Sequence, residues 1–189
     1  MIIGRHAVTE TTPTNILLGA GTYHKGLKFA DGAWSGTVLG ATSGGGKIAI
    51  KSELLDLEVD GVLVKTKGLT VKQGGAASAE VNFVELSNEV LKMGTLFEEG
   101  TTDAEGFTML QDKDSIKEGD YIDNFGFVGF TAAGKQIVVI FESALCTSGL
   151  EVEPKNKEQS VVKLTLEAVA NNEGSLNKLP VKIYYPTGA

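Results

Sequence analysis

Along the chain, apolar residues come in short runs, and most runs alternate with polar ones. Ser160 to Ala170 shows this best. Val162, Leu164, Leu166 and Ala168 fall on one side, and Lys163, Thr165 and Glu167 on the other. A period of two marks a strand with one buried and one wet face. Ala76 to Glu85 repeats it, with Val81 and Phe83 opposed to Ser78, Glu80 and Asn82. In Lys47 to Leu55, Ile48, Ile50 and Leu54 oppose Lys47, Lys51 and Glu53. "IVVIF", Ile137 to Phe141, is apolar on both sides and reads as an interior strand. Further strands are expected at 15–21, 62–66, 69–72, 122–130 and 181–185.

Punctuation agrees with this pattern. Asp60-Gly61 supplies the positive φ values of a two-residue turn, so "LEVDGVLV" reads as a hairpin. Ala132 to Lys135 joins two more strands. A helix is expected from Ser87, a good N-cap, with Glu89 in its first turn and Gly94 as its stop. Val90, Leu91 and Phe97 give it an apolar side. Two stretches read as neither strand nor helix. Residues 21–46 form a long glycine-rich loop carrying Tyr23, Phe29 and Trp34. Residues 98–119 are acidic and solvated. The loop's aromatics pack either on a neighbouring molecule or back on their own domain. The expected fold is mainly β: a β-sandwich or partly open barrel with one flanking helix, in a single domain over 15–189 behind an N-terminal arm, 1–14.

Composition narrows the function classes. The chain has 189 residues, 42% of them hydrophobic, enough for a core without disulfides or metals. Its formal charge of −7 argues against tight binding to phosphate backbones. No apolar run is long enough to cross a bilayer, and the N-terminus lacks the pattern of a signal peptide. The chain is expected to be soluble and made in a cytoplasm.

Chemistry is sparse. The only cysteine is Cys146, and the only histidines are His6 and His24. A catalytic thiol wants a histidine partner, so a buried small hydrophobe is the plainer reading of Cys146. "GATSGGGKI", Gly40 to Ile48, departs from a phosphate loop. Ala41 stands in the glycine place, Ile48 replaces Ser or Thr, and a strand follows. "DKDSIKEGD", Asp112 to Asp120, has Lys117 where a calcium loop needs glycine. No nucleophile elbow and no zinc cluster occur. No enzyme, cofactor or metal is expected.

"TPTNILLGAGTYHKG", "VLGATSGGGKIAI", "LEVDGV", "AEVNFVELSNEVL" and "KLTLEAVANN", in that order, resemble the major tail protein of siphophage-like tails. The likeness spans about Thr12 to Ala170. It implies a structural protein that closes into rings, six subunits each, which stack into a tube for phage DNA. Implied partners are copies of itself, tail-tip initiator and terminator proteins, and a tape-measure protein inside the tube. DNA would pass without specific binding, and the protein would reside in the virion tail. The resemblance makes 47–55 and 76–85 inner-barrel strands. Lys47, Lys51, Glu53, Ser78, Glu80 and Asn82 are then lumen candidates, or else ordinary outer surface. It makes Tyr23, Phe29 and Trp34 candidates for a loop reaching a neighbouring subunit. Two other readings are the inner tube of a contractile tail or phage-derived bacteriocin, and a free-standing β-sandwich binding module.

Overall fold

The computed structural model describes residues 8–154, 156–171 and 176–187. The chain is mainly β, with one long antiparallel sheet and one flanking helix of more than a turn. The first half of the expected arm lies outside the described residues. Its end is a single helical turn, α1 (Thr12–Asn15), which runs into the sheet.

Among the described residues ten strands follow: β1 (Leu17–Ala30), β2 (Ala33–Val38), β3 (Thr42–Asp56), β4 (Thr70–Phe83), β5 (Glu98–Gly100), β6 (Met109–Gln111), β7 (Ile122–Thr131), β8 (Gln136–Cys146), β9 (Val162–Ala168) and β10 (Val181–Tyr184). In the main sheet the order is β2-β1-β7-β8-β9-β4-β3. β8 is interior, as its apolar run foretells. One edge is taken by β7 and the other is shared end to end by β10 and β9.

The core follows the period-two pattern. Val162, Leu164 and Leu166 of β9 and Ala79, Val81 and Phe83 of β4 are fully buried. They meet Phe125 and Phe141 from β7 and β8. The helix α2 (Asn88–Thr95) closes this core with Val90 and Met93. Ser87 caps it, its Oγ accepting from the Val90 N–H at 3.2 Å. Gly94 is not the stop. It lies inside the last turn, buried, and Leu96 takes the left-handed cap position instead. A Cβ at Gly94 would sit 3.1 Å from both Leu150 Cδ1 and Leu164 Cδ2, so glycine is there for close packing. Gly94→Val is expected to lower unfolding free energy by about 2 kcal/mol through overpacking. Gly94→Ala should be near neutral, since helix propensity offsets the squeeze. The two urea midpoints check this.

Residues 21–46 are not a loop. β1 continues through them and turns at Asp31-Gly32, both with positive φ, into β2. β1 bends near Gly26 (φ 62), where its register with β2 shifts. Beyond the bend Leu27 packs against Gly126, where no Cβ would fit. There Leu27 joins a second small core with Val128, Val138 and Ile140 on the other face of the sheet. The glycines that suggest a loop thus serve bulges and a hairpin turn.

Two further expectations change. The Asp60-Gly61 turn exists, with Val62 N–H bonded to Val59 O at 3.0 Å, but 62–66 is not a strand. The β3–β4 ribbon closes at Asp56↔Thr70, leaving 57–69 as an apical loop. The acidic stretch 98–119 contains a small hairpin, β5–β6, and Lys113, which forms a nearly buried ion pair with Asp120 just beyond it. Asp120 also accepts the Lys117 N–H at 2.7 Å, so this carboxylate of the calcium-like pattern is engaged by nitrogen donors.

Candidate assembly surfaces

The six lumen candidates come together on one face. Lys47 faces Glu80 across β3–β4, Lys51 faces Ala76, and Glu53 faces Gly74. Ser78, Glu80 and Asn82 face Glu167, Thr165 and Lys163 across β4–β9. Register alone places them so, because alternation sends their neighbours Ile48, Ala79, Val81 and Leu164 to the core. Glu80 is the hub. Lys47 Nζ lies 2.9 Å and Lys163 Nζ 2.7 Å from its two carboxylate oxygens. Asn82 is turned to structural use, donating to Gly45 O at 3.0 Å where a glycine bulge starts β3. The face is balanced rather than acidic: Lys47, Lys51 and Lys163 stand among Glu53, Glu80 and Glu167. The −7 of the whole chain therefore does not carry over to it.

Hydrogen bonds from Lys163 and then Lys47 hold the Glu80 carboxyl well below its ordinary 4.5, at about 2. A depressed carboxylate stabilises the fold above its unfolded pKa, and that contribution is lost as pH falls toward the folded value. Glu80 should therefore titrate near pH 2 by carbon-detected NMR. Lys163→Ala should raise its midpoint toward 4.5. An unchanged midpoint would show that Lys163 is not the cause.

The aromatic candidates separate. Tyr23 is 2% exposed and stacks on Phe125 at 5.9 Å, so it is a core residue and not a surface anchor. Burial raises its hydroxyl pKa. Its ring end stands over Gly46, where a Cβ would collide. Phe29 and Trp34 do lie at the surface, on the β1–β2 hairpin. Trp34 covers the second core, with Phe29 edge-on at 5.2 Å and Tyr184 of β10 at 4.7 Å. Phe29 is 59% exposed. Beside Trp34 a cleft of about 310 Å³ opens between Gln136, Val138, Tyr184 and Tyr185. Tyr184 is the residue that sequence reasoning missed. The aromatic pair before Pro186 was its only signal.

A third surface is the ribbon itself. β9 covers β4 only along Ser78 to Phe83, so the far half of β3–β4 projects past the sheet. Ile50, Leu54 and Val71 are exposed there, and the apical loop exposes Val62, Leu63 and Val64. Of the apolar positions read on β3, only Ile48 packs on the core. Among the described residues β2 and β3 end the sheet order, and neither has a further strand on its outer edge.

Groups for catalysis remain scattered. Cys146 is buried in the main core, His24 Nε2 lies 2.9 Å from Thr22 Oγ1, and His6 is outside the described residues. Residues 42–47 enter a strand directly, unlike a phosphate loop. Among the described residues, no group of three His, Cys, Asp or Glu could hold a metal ion, and no helix is long and apolar enough to cross a membrane.

What the fold and these surfaces define is an antiparallel β-domain that exposes aliphatic side chains on its ribbon and apical loop and aromatic ones on its β1–β2 hairpin. The chain matches no family model and no curated protein.

Proposed function

We propose that the chain is a tail-tube subunit of a long-tailed phage or prophage, assembling into stacked rings around the path of the DNA. The observation that carries this reading is the β3–β4 ribbon: a two-stranded projection with an open edge among the described residues, polar on one face and apolar on the other from Gly46 to Glu53, beyond which Leu54 on one side and the Leu55–Val71 pair on the other are exposed. Pairing such ribbons between copies would bury the apolar face, satisfy the free edge and line a channel with the charge-balanced face around Glu80. A wall of alternating Lys and Glu holds phosphates weakly, because each lysine is offset by a carboxylate. The sequence resemblance adds six-fold rings, initiator and terminator proteins at the tube ends, and a tape-measure protein within.

The test is negative-stain electron microscopy of concentrated protein beside size-exclusion chromatography, with and without tail-tip extract. Rings or hollow tubes are expected. A monomer under all these conditions would count against the reading. A contractile-tail tube would give the same particles and is told apart by sheath protein binding to them.

One observation favours a second reading. Phe29, Trp34 and Tyr184 lie side by side on one face, which suits a free-standing binding module. Quenching of the sole tryptophan by oligosaccharides, with no particles in the microscope, would select it.

A further inference from the structure

The chain holds two Asp-Gly pairs, Asp31-Gly32 and Asp60-Gly61, and the fold sets them in different turns. At 31–32 both residues have positive φ, 53° and 79°, in a two-residue hairpin loop. The twist of such a loop matches that of the strands it joins. Ala30↔Ala33 and Phe29↔Trp34 pair directly beneath it, and the Phe29 and Trp34 rings meet edge-on. At 60–61 only Gly61 has positive φ, 84°, and Val62 N–H bonds to Val59 O at 3.0 Å, which makes a type II turn. β3 and β4 stop pairing at Asp56↔Thr70, so this turn has no ladder beneath it. The next ties below are the Leu57 N–H bond to Leu69 O and the Lys65–Asp56 ion pair. Asp60 and Gly61 are both exposed, and among the described residues neither the Asp60 carboxylate nor the Gly61 N–H has a partner. A Cβ at Gly61 would meet nothing within 4 Å.

We propose that Asp60-Gly61 is a site of spontaneous backbone isomerisation, where aspartate converts to isoaspartate while Asp31-Gly32 stays intact. The inference does not depend on whether the chain assembles. With the carboxyl protonated, the Gly61 nitrogen attacks Asp60 Cγ. An N–Cγ bond forms, the Cγ–OH bond breaks, and the hydroxyl leaves with the amide proton as water. The succinimide ring then takes up a water. Addition at the Asp60 main-chain carbonyl breaks its bond to the Gly61 nitrogen, which regains a proton, and the main chain now runs through Cγ. Addition at Cγ restores aspartate. One water is lost and one gained, and nothing is oxidised or reduced.

Ring closure requires the peptide plane after Asp60 to swing until the Gly61 nitrogen faces the side chain. Glycine permits this, because no Cβ crowds the approach. At 60–61 the swing breaks one hydrogen bond on an exposed tip. At 31–32 it opens the end of a hairpin, with a ladder pair and an aromatic contact below. Reaction follows the population of the open form, so the fold selects the first site. The product changes the ribbon tip. Isoaspartate adds a methylene to the main chain, and Val59 O and Val62 N–H no longer close a four-residue turn. Leu63 and Val64, 96% and 76% exposed just beyond it, are then presented differently.

The test incubates the whole chain at mildly acidic pH, folded and in parallel in concentrated urea, and reads isoaspartate at each site by electron-transfer fragmentation of its peptides. In the folded chain, position 60 should gain isoaspartate at least ~10-fold faster than position 31, and in urea the two rates should agree within about threefold, since both sites are then open. Asp60→Glu, whose imide ring would be larger and slower to close, should lose the signal at its site and leave the rate at 31 unchanged. Equal rates in the folded chain, a faster rate at 31, or no isoaspartate at 60 would overturn the proposal. A preference for 60 that persists undiminished in urea would overturn it too, because sequence neighbours rather than the fold would then choose the site.

Discussion

Phe83→Ala should cost about 4 kcal/mol of folding stability, the range found for burying and then deleting a whole aromatic ring. Phe83 is fully buried at the end of β4. Its backbone pairs with Val162 on one side and Thr42 on the other, and its ring lies 3.3 Å from where a Cβ on Gly40 would sit. The pocket is framed by strand backbone, which relaxes little, so the cavity term adds to the transfer term. Against a typical total of about 5–15 kcal/mol, that loss leaves the domain marginal. In urea the midpoint should drop while the slope stays constant, because the surface exposed on unfolding is the same. Phe83→Leu should recover more than half of the loss. A midpoint within error of the parent would mean that the core is not organised around this ring.

Trp34→Ala should abolish particle formation while leaving a folded monomer. The ring caps the second core and makes two edge-on aromatic contacts, but it is only half-buried. Its loss should cost about 2 kcal/mol at most, within what a single domain tolerates. Near-native circular dichroism with no rings or tubes is the expected result. Tyr23→Ala makes the contrast: Tyr23 belongs to the main core, so its loss should unfold the chain. Normal tubes from Trp34→Ala would exclude the hairpin from assembly.

The two variants also mark where sequence reading succeeds. Position 83 is legible because alternation in 76–85 is strict and each apolar residue has one possible face. β9 is legible for the same reason, and β8 because its run is apolar on both sides. β2 is not, because Gly32, Gly36 and Gly40 punctuate it and its flanks. The Asp31-Gly32 turn has the same form as Asp60-Gly61, yet only the latter stands between aliphatic runs. Conversely, 62–66 has strand-like composition but no strand to pair with, and pairing is what makes a strand. The lumen candidates share a face because register follows from period two. Tyr184 required the tertiary fold, since β10 reaches Trp34 from 150 residues further along the chain.

The glycine bulge that begins β3 has a consequence for pairing errors. Between Thr42 and Gly46 the strand carries extra residues against β4, and a second irregularity follows between Glu53 and Leu54. The extra residue there is Gln73 of β4, so β3 itself keeps regular spacing along its edge from Gly46 to Asp56. A strand added there has few positions at which its hydrogen bonds match, and a slip of one residue would turn its apolar side to water. The same irregularities twist the edge away from flat stacking, the route by which long free strands form amyloid-like fibres. An edge open enough to recruit a partner is thereby kept from recruiting one in the wrong register.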